Sequence, residues 1–316
     1  MHILVTGATG FIGAALVKRL KKNNFILSAS VRNFVPDYLN DVNIIKIGDL
    51  TPSLNWHEAL LGVDVVIHLA SRVHIMKDQA GDPQAEYNLV NVDATLNLAR
   101  QSSEKGVKRF IYMSSIKVNG EFTDPGKVFT AEDSPSPQDP YSTSKLQAEL
   151  GLKMIALETG IEVVIIRPPL VYGPGVKGNF LNMMQWLSRS IPLPLGGINN
   201  LRSLVALDNL VDLIVKCIDH PRAANQIFLV SDGEDLSTTS LLYRLGNALN
   251  KPVRLIPAPI SWLYFFATLF GRRMMVERLY SSLQVDISKT RKLLSWAPLV
   301  GVDEALRRVV QDSNIQ

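Results

Sequence analysis

His2 to Leu20, HILVTGATGFIGAALVKRL, is the stretch whose reading decides the fold. It opens as a short apolar strand, turns on glycines, and continues with the apolar spacing of an amphipathic helix. Gly7, Gly10 and Gly13 punctuate the turn as GxxGxxG. The first makes the tight turn, the second lets backbone amides approach a pyrophosphate, and the third lets the helix pack closely on the strand. With the partial positive charge of the helix N-terminus, the segment predicts a dinucleotide site.

Outward from that segment, strands and helices alternate. Ile26 to Val31, Asn43 to Ile47, Val65 to Leu69, Arg109 to Met113 and Val163 to Arg167 read as short apolar strands, with helical patterns in most of the gaps. This order predicts an α/β fold: a doubly wound parallel sheet covered on both faces, with a ligand crevice at the carboxyl ends of the strands. Beyond about Tyr172, Pro/Gly-rich segments such as GPGVKGN and IPLPLGG predict a smaller C-terminal substrate-binding lobe. We expect residues 1–172, with a return segment 203–231, to form the dinucleotide-binding domain, and 173–202 with 232–316 to form the lobe.

Tyr141 and Lys145, four residues apart in PYSTSKLQAE, and Ser115 in FIYMSSIKVNG are the candidate catalytic groups. A helix beginning after Pro140 places the phenol and the ammonium on one face. A phenol ionises near ~10, and a neighbouring cation favours the phenolate, so Lys145 is expected to bring Tyr141 toward the working range. The Ser115 hydroxyl is suited to hydrogen-bond a substrate oxygen while Tyr141 gives or takes its proton.

The composition fits one soluble globular unit. Of 316 residues, 47% are apolar, which is ample core material. The formal charge of +4 is spread without a long basic block, so anionic ligands are expected rather than nucleic acid. The single cysteine, Cys217, lies in the apolar helical pattern DNLVDLIVKCIDH and reads as a packing residue in a reducing compartment. The glycine-interrupted N-terminal stretch lacks the basic leader of a cleavable signal, so the expected location is cytoplasmic. Ile260 to Phe270, ISWLYFFATLF, falls short of the roughly 20 residues needed to span a bilayer. It is expected to be a buried helix or pocket wall, with peripheral membrane contact the minor alternative. No His/Cys/Asp set has metal-ligand spacing, and no metal is expected.

TGATGFIG, the HLA of His68 to Ala70, Ser115, YSTSK and RPPLVYGPG occur in the order and spacing of the extended short-chain dehydrogenase/reductases. The chain resembles their nucleotide-sugar epimerase, dehydratase and reductase branch over nearly its whole length. The resemblance implies a Rossmann-type fold and coenzyme contacts from Gly7, Thr9, Gly10, Phe11, Ile12, Gly13, Leu50, Leu69, Ala70, Ser71, Tyr141, Lys145, Pro168 and Leu170. At the end of the second strand an acid normally holds the adenosine ribose; here Arg32 stands in Ser-Val-Arg-Asn, which favours NADP, with NAD the alternative. Asp49 in IGDL resembles the position that contacts adenine. The dehydratases of this branch carry an Asp-Glu pair after the active-site hydroxyl, whereas Ser115 is followed by Ile116 and Lys117, which argues against dehydration.

Hydride transfer at an alcohol or ketone remains. HLASRVH, SSIKVNGE and LRSLVALDNLVDL are similar to 4-ketoreductases of bacterial O-antigen pathways, implying reduction of a UDP-4-keto-6-deoxy-N-acetylhexosamine at C4. A UDP-hexose or UDP-N-acetylhexosamine 4-epimerase is the alternative, and a non-catalytic nucleotide-binding scaffold the third reading. On the sugar side the resemblance implicates Asn179, Arg202 and Arg278, with His74 in the loop Ser71 to Asp82 as an available hydrogen-bonding group. Leu170 stands where the galactose epimerases have Asn. Asn91 matches an asparagine on a central helix that orders backbone near the site. Relatives pair through helices corresponding to roughly residues 85–105 and 141–158, so a homodimer is expected.

Overall fold

The structure is a computed structural model that describes residues 1–73, 81–259, 261–263, 268, 273–313 and 315, without the side chains of 273–275 and 278. The strands among the described residues are β1 (His2–Thr6), β2 (Ile26–Val31), β3 (Asn43–Lys46), β4 (Val65–His68), β5 (Arg109–Met113), β6 (Glu162–Arg167), β7 (Leu170–Tyr172), β8 (Arg202–Ala206), β9 (Gln226–Leu229) and β10 (Asp235–Leu236). Seven form one parallel sheet in the order β3-β2-β1-β4-β5-β6-β9. The chain walks outward from β1 to β3, then returns to place β4 on the other side of β1. That reversal opens a crevice at the carboxyl ends of β1 and β4.

Alternation along the strands divides the core. Ile3 and Val5 pack on α1 (Phe11–Lys21) and α6 (Leu207–Cys217), where Cys217 is buried. Leu4, Val66, Phe110 and Tyr112 face α3 (Ala94–Glu104) and α4 (Pro140–Thr159) on the other side. α3 continues from α2 (Pro83–Tyr87) through a π-helical stretch, Asn88–Asp93. Leu96 of α3 fills the space beside Gly151 of α4, where an added Cβ would lie 2.6 Å from it.

α4 carries its own boundaries. Asp139 and Ser142 form a capping box, Pro140 occupies the first turn, and Gly160 closes the helix in the left-handed region at φ 79°. The expected helix after Pro140 is therefore present, and Tyr141, Lys145 and Glu149 follow at successive four-residue steps.

A second sheet, β10-β8-β7, packs with α5 (Asn179–Ser188), α7 (Thr238–Ala248) and α10 (Val302–Asp312) around a third core containing Tyr172, Phe180, Leu242 and Leu306. Within segment 203–231, β8 joins this smaller sheet while β9 completes the large one. α8 (Arg273–Tyr280) and α9 (Ser288–Leu294) lie between. Most of Ile260 to Phe270, expected as a buried helix or pocket wall, falls outside the described residues; Trp262, which is described, is 65% exposed. Among the described residues no helix is long and apolar enough to cross a membrane.

Candidate active site

The turn after β1 shows why its glycines are required. Gly7 adopts φ 68°, and a Cβ there would lie 2.7 Å from the Ala70 amide nitrogen of the loop after β4. A Cβ on Gly13 would lie 2.1 Å from the Gly7 carbonyl oxygen. The first turn of α1 therefore rests on the loop itself, leaving its N-terminus, at Phe11, open toward the crevice. Tyr38 supports the loop from behind by donating its hydroxyl hydrogen bond to the Ala8 carbonyl at 3.1 Å.

A cavity of about 600 Å³ runs from this loop to the end of α4. It is lined by Gly7, Thr9, Gly10, Phe11, Ile12 and Gly13, by Leu69, Ala70 and Ser71, and by Arg32, Leu50, Pro168, Ser115, Tyr141 and Lys145. Nearly all the coenzyme contacts implied by the sequence thus share one cavity with the three candidate catalytic groups. Two do not line it. Asp49 points to solvent beside Arg32, 3.6 Å from its guanidinium, while its neighbours Gly48 and Leu50 form the wall. Leu170 is 53% exposed because strand alternation turns it outward and leaves Val171 facing in.

The sequence reading missed Ser30, Phe34, Val90, Met113, Ser114 and Val171, which also line the cavity. Phe34 carried one available signal, an aromatic two residues past the arginine that follows β2. The buried Ser30 hydroxyl has no partner among the described residues. This orphan donor and the glycine cradle are features that a bound dinucleotide would satisfy and fill.

At the reacting end Ser115 follows β5 and lines the same cavity as Tyr141, its hydroxyl favouring the ionised phenol. Lys145 is buried, donates to the Met113 carbonyl at 2.9 Å, and stands 5.9 Å from the Tyr141 ring centroid and 4.8 Å from that of Tyr112. Burial pushes the Tyr141 phenol up to about 12, with Asp139 adding to the rise and the Ser115 hydroxyl opposing it. Burial also draws Lys145 down to about 7, against the pull of Glu149. The expected tuning of the phenol by the lysine is therefore corrected. Desolvation penalises both charged forms, and the ammonium is spent on a carbonyl and ring faces rather than on the phenol oxygen.

Asn91 orders backbone beside the site as expected. Its carboxamide accepts from Arg72 N at 2.8 Å and donates to Arg72 O and Ser144 Oγ, each at 3.0 Å. Its π-helical setting turns it inward toward α4. His68 is no base: burial drives its imidazole down to about 3, and both ring nitrogens are engaged by Thr6 and Thr95.

Asn179 and Arg202, proposed as sugar contacts, do not line this cavity. Asn179 is exposed at the start of α5. Arg202 donates to the Ser281 carbonyl at 3.0 Å, directing it to the segment after α8 rather than to the cavity wall. Arg278 lies on α8, but its side chain is outside the described residues, as is His74. Among the described residues no group of three His, Cys, Asp or Glu side chains is placed to hold a metal.

The pattern of the family described as "NAD dependent epimerase/dehydratase family" matches residues 3–231. The chain is 48% identical to a UDP-glucose 4-epimerase of Vibrio cholerae, over 98% of this chain and 94% of that relative. Among solved structures, a UDP-glucuronic acid 4-epimerase from Bacillus cereus in complex with NAD superposes with a TM-score of 0.78 at 20% identity, covering 99% of this chain and 98% of that one. RMD from Pseudomonas aeruginosa, complexed with NADPH, gives 0.73 at 20% identity, covering 99% of each chain. At that identity the two structures establish a shared fold.

Proposed function

The chain belongs to the NAD dependent epimerase/dehydratase family, and from that membership we propose that it is a UDP-hexose or UDP-N-acetylhexosamine 4-epimerase. The observation that carries this reading is that Ser115, Tyr141 and Lys145 line the same cavity as the glycine cradle. The 48% identity to a UDP-glucose 4-epimerase moves the preference from the ketoreductase anticipated from the sequence to epimerisation. Intact acid–base groups in a cavity of this kind argue against a scaffold without catalysis.

Gly7, Gly10, Gly13 and the start of α1 would hold the pyrophosphate, and Arg32 with Phe34 the adenosine end. When bound, a nicotinamide coenzyme supplies a reversible hydride acceptor and, oxidised, a positive charge that favours the phenolate. Tyr141 takes the C4 hydroxyl proton as the C4 hydride leaves, giving a 4-keto sugar. Ser115 donates to that oxygen throughout. Turning of the keto sugar, return of hydride to the opposite face of C4 and return of the Tyr141 proton to the C4 oxygen would complete inversion.

Reduction of a UDP-4-keto-6-deoxy-N-acetylhexosamine in surface-polysaccharide synthesis is the second reading. It is favoured by Arg32, which suits an adenosine phosphate and hence NADP. Burial favours the neutral phenol of Tyr141, the form that holds the proton a reduction must deliver. Incubation with UDP-glucose and UDP-N-acetylglucosamine without added reductant separates the two. Appearance of the C4 epimer supports epimerisation. Absence of that product, with stoichiometric NADPH consumption by a 4-keto sugar, overturns it in favour of reduction.

We assign the sugar to the lobe built on the smaller sheet, which carries Arg202 on β8 and packs with α5, where Asn179 stands. We also propose a soluble homodimer through α3 and α4, whose outward stripe of Leu150, Met154 and Leu157 includes a leucine 81% exposed. A Leu157→Glu chain sedimenting at the wild-type dimer mass would contradict that interface.

A further inference from the structure

Glu149 and Arg167 form an ion pair with both side chains almost fully enclosed, at 1% and 2% exposure. Arg167 Nε and Nη2 donate to Glu149 Oε1 and Oε2 at 2.9 and 2.5 Å. Replacing such a pair with apolar residues of similar size is often neutral or stabilising, so stability alone does not explain it. Its connections suggest another role.

The Ser114 hydroxyl donates to Glu149 Oε1 at 2.5 Å, and Arg167 Nη1 donates to Asn119 Oδ1 at 2.8 Å. Each participant adjoins one wall of the cavity. Ser114 lines it and precedes Ser115; Arg167 precedes Pro168; Glu149 lies one helical step beyond Lys145 and two beyond Tyr141. Backbone bonds repeat the alignment, from Ser114 N to Ile166 O at 2.8 Å and from Ile116 N to Pro168 O at 3.0 Å. Asn119 extends the network by donating to Thr130 O at 2.9 Å.

We propose that Glu149, held by Arg167, is the positioning residue of this site: one buried carboxylate joins α4 to the ends of β5 and β6 and so sets the distance between Ser115 and the Tyr141–Lys145 face. It does not touch the reacting atoms. The rigid fork of the guanidinium fixes the carboxylate plane, which a single Ser114 hydrogen bond would not do. Glu149 also places a negative charge behind Lys145, an influence that counters the loss of its proton through burial.

The inference rests on the epimerase or reductase reading for its kinetic arm and is independent of it in the other. Three proteins are compared: wild type, Glu149→Gln, and the apolar double variant Glu149→Leu/Arg167→Met, which keeps the inference testable if the single variant does not fold. The double variant is expected to unfold cooperatively and to bind NADPH or NADH within about threefold of wild type. Its kcat should fall about a hundredfold with the sugar KM within about threefold, the loss that a misplacement of about 1 Å produces. In protein labelled with 13Cε-lysine, the Lys145 resonance should titrate at lower pH in each folded variant. A folded double variant with wild-type kcat overturns the inference. If wild type turns over no nucleotide sugar, the functional reading fails alone; the lysine titration then decides, and an unchanged Lys145 midpoint overturns the positioning role.

Discussion

Lys117 Nζ donates to Asp139 Oδ2 at 2.7 Å, so the residue standing where dehydratases of this branch carry an acid is tied to the cap of the helix that bears Tyr141. A second bond, to Glu121 Oε1 at 2.6 Å, completes its engagement. Lys117 thus serves helix placement, and its charge stands against the Asp139 charge that raises Tyr141.

Removing that ammonium should weaken the fold in acid-dependent fashion. Burial pushes the Asp139 carboxyl up, but hydrogen bonds from Lys117 and Ser142 more than reverse this and hold it at about 2. A carboxyl depressed in the folded state stabilises above its unfolded value of ~3.9, and that contribution is lost as pH falls toward 2. Lys117→Met is expected to lose on the order of 1–2 kcal/mol at pH 7 and to flatten the pH 4 to 2 limb of stability. Urea melts across that range check it; an unchanged limb would contradict the assignment.

Gly13→Ala tests the cradle. The added methyl would lie 2.1 Å from the Gly7 oxygen, so the start of α1 must move away from the loop. Coenzyme affinity is expected to fall at least about tenfold, or about 1.4 kcal/mol, by fluorescence titration. Wild-type affinity would mean that the pyrophosphate does not sit at this turn.

Lys145→Met is expected to exchange function for stability. Lys145 loses its proton at about 7 in the folded chain and near ~10.4 when unfolded. Between those values the unfolded state binds the extra proton, so this group makes stability rise with pH from about 7 to about 10 and detracts from it below. Removing the amine should raise Tm at pH 7 by several degrees and abolish that rise, while turnover collapses. Calorimetry at pH 6, 7 and 9 reads the slope. A variant less stable than wild type at pH 6 would contradict the burial argument.

Arg32→Glu addresses coenzyme choice. The guanidinium lies 3.6 Å from Asp49 at the adenosine rim, where it can meet an added phosphate only against that carboxylate. The substitution is expected to weaken NADPH at least about tenfold more than NADH, and Asp49→Asn to strengthen NADPH. Equal effects on both coenzymes would remove Arg32 from the selection.

Much of this architecture was legible because it depends on local spacing. Gly7, Gly10 and Gly13 announce a turn between strand and helix, and Pro140 with Asp139 marks where α4 begins. β9 escaped because Gln226 to Leu229 holds only three apolar residues in a row, too few for periodicity to distinguish a strand from a buried helix segment. Glu149 and Arg167 lie on different elements, 18 positions apart, and only folding reveals them as partners. The sign of the Tyr141 shift was misread for the same reason: a YxxxK spacing shows proximity, whereas burial, which dominates, is a property of everything packed around it. Asn179 and Arg202 carried suitable chemistry but occupy elements outside the cavity wall.

The most direct measurement of the central claim follows deuterium from C4-deuterated UDP-glucose through wild type and Tyr141→Phe, with no reductant added. The account predicts the C4 epimer with deuterium retained at C4, and formation slower by about 10²-fold or more in the phenylalanine variant. Loss of the label to water, or equal rates in the two proteins, would contradict hydride transfer governed by Tyr141.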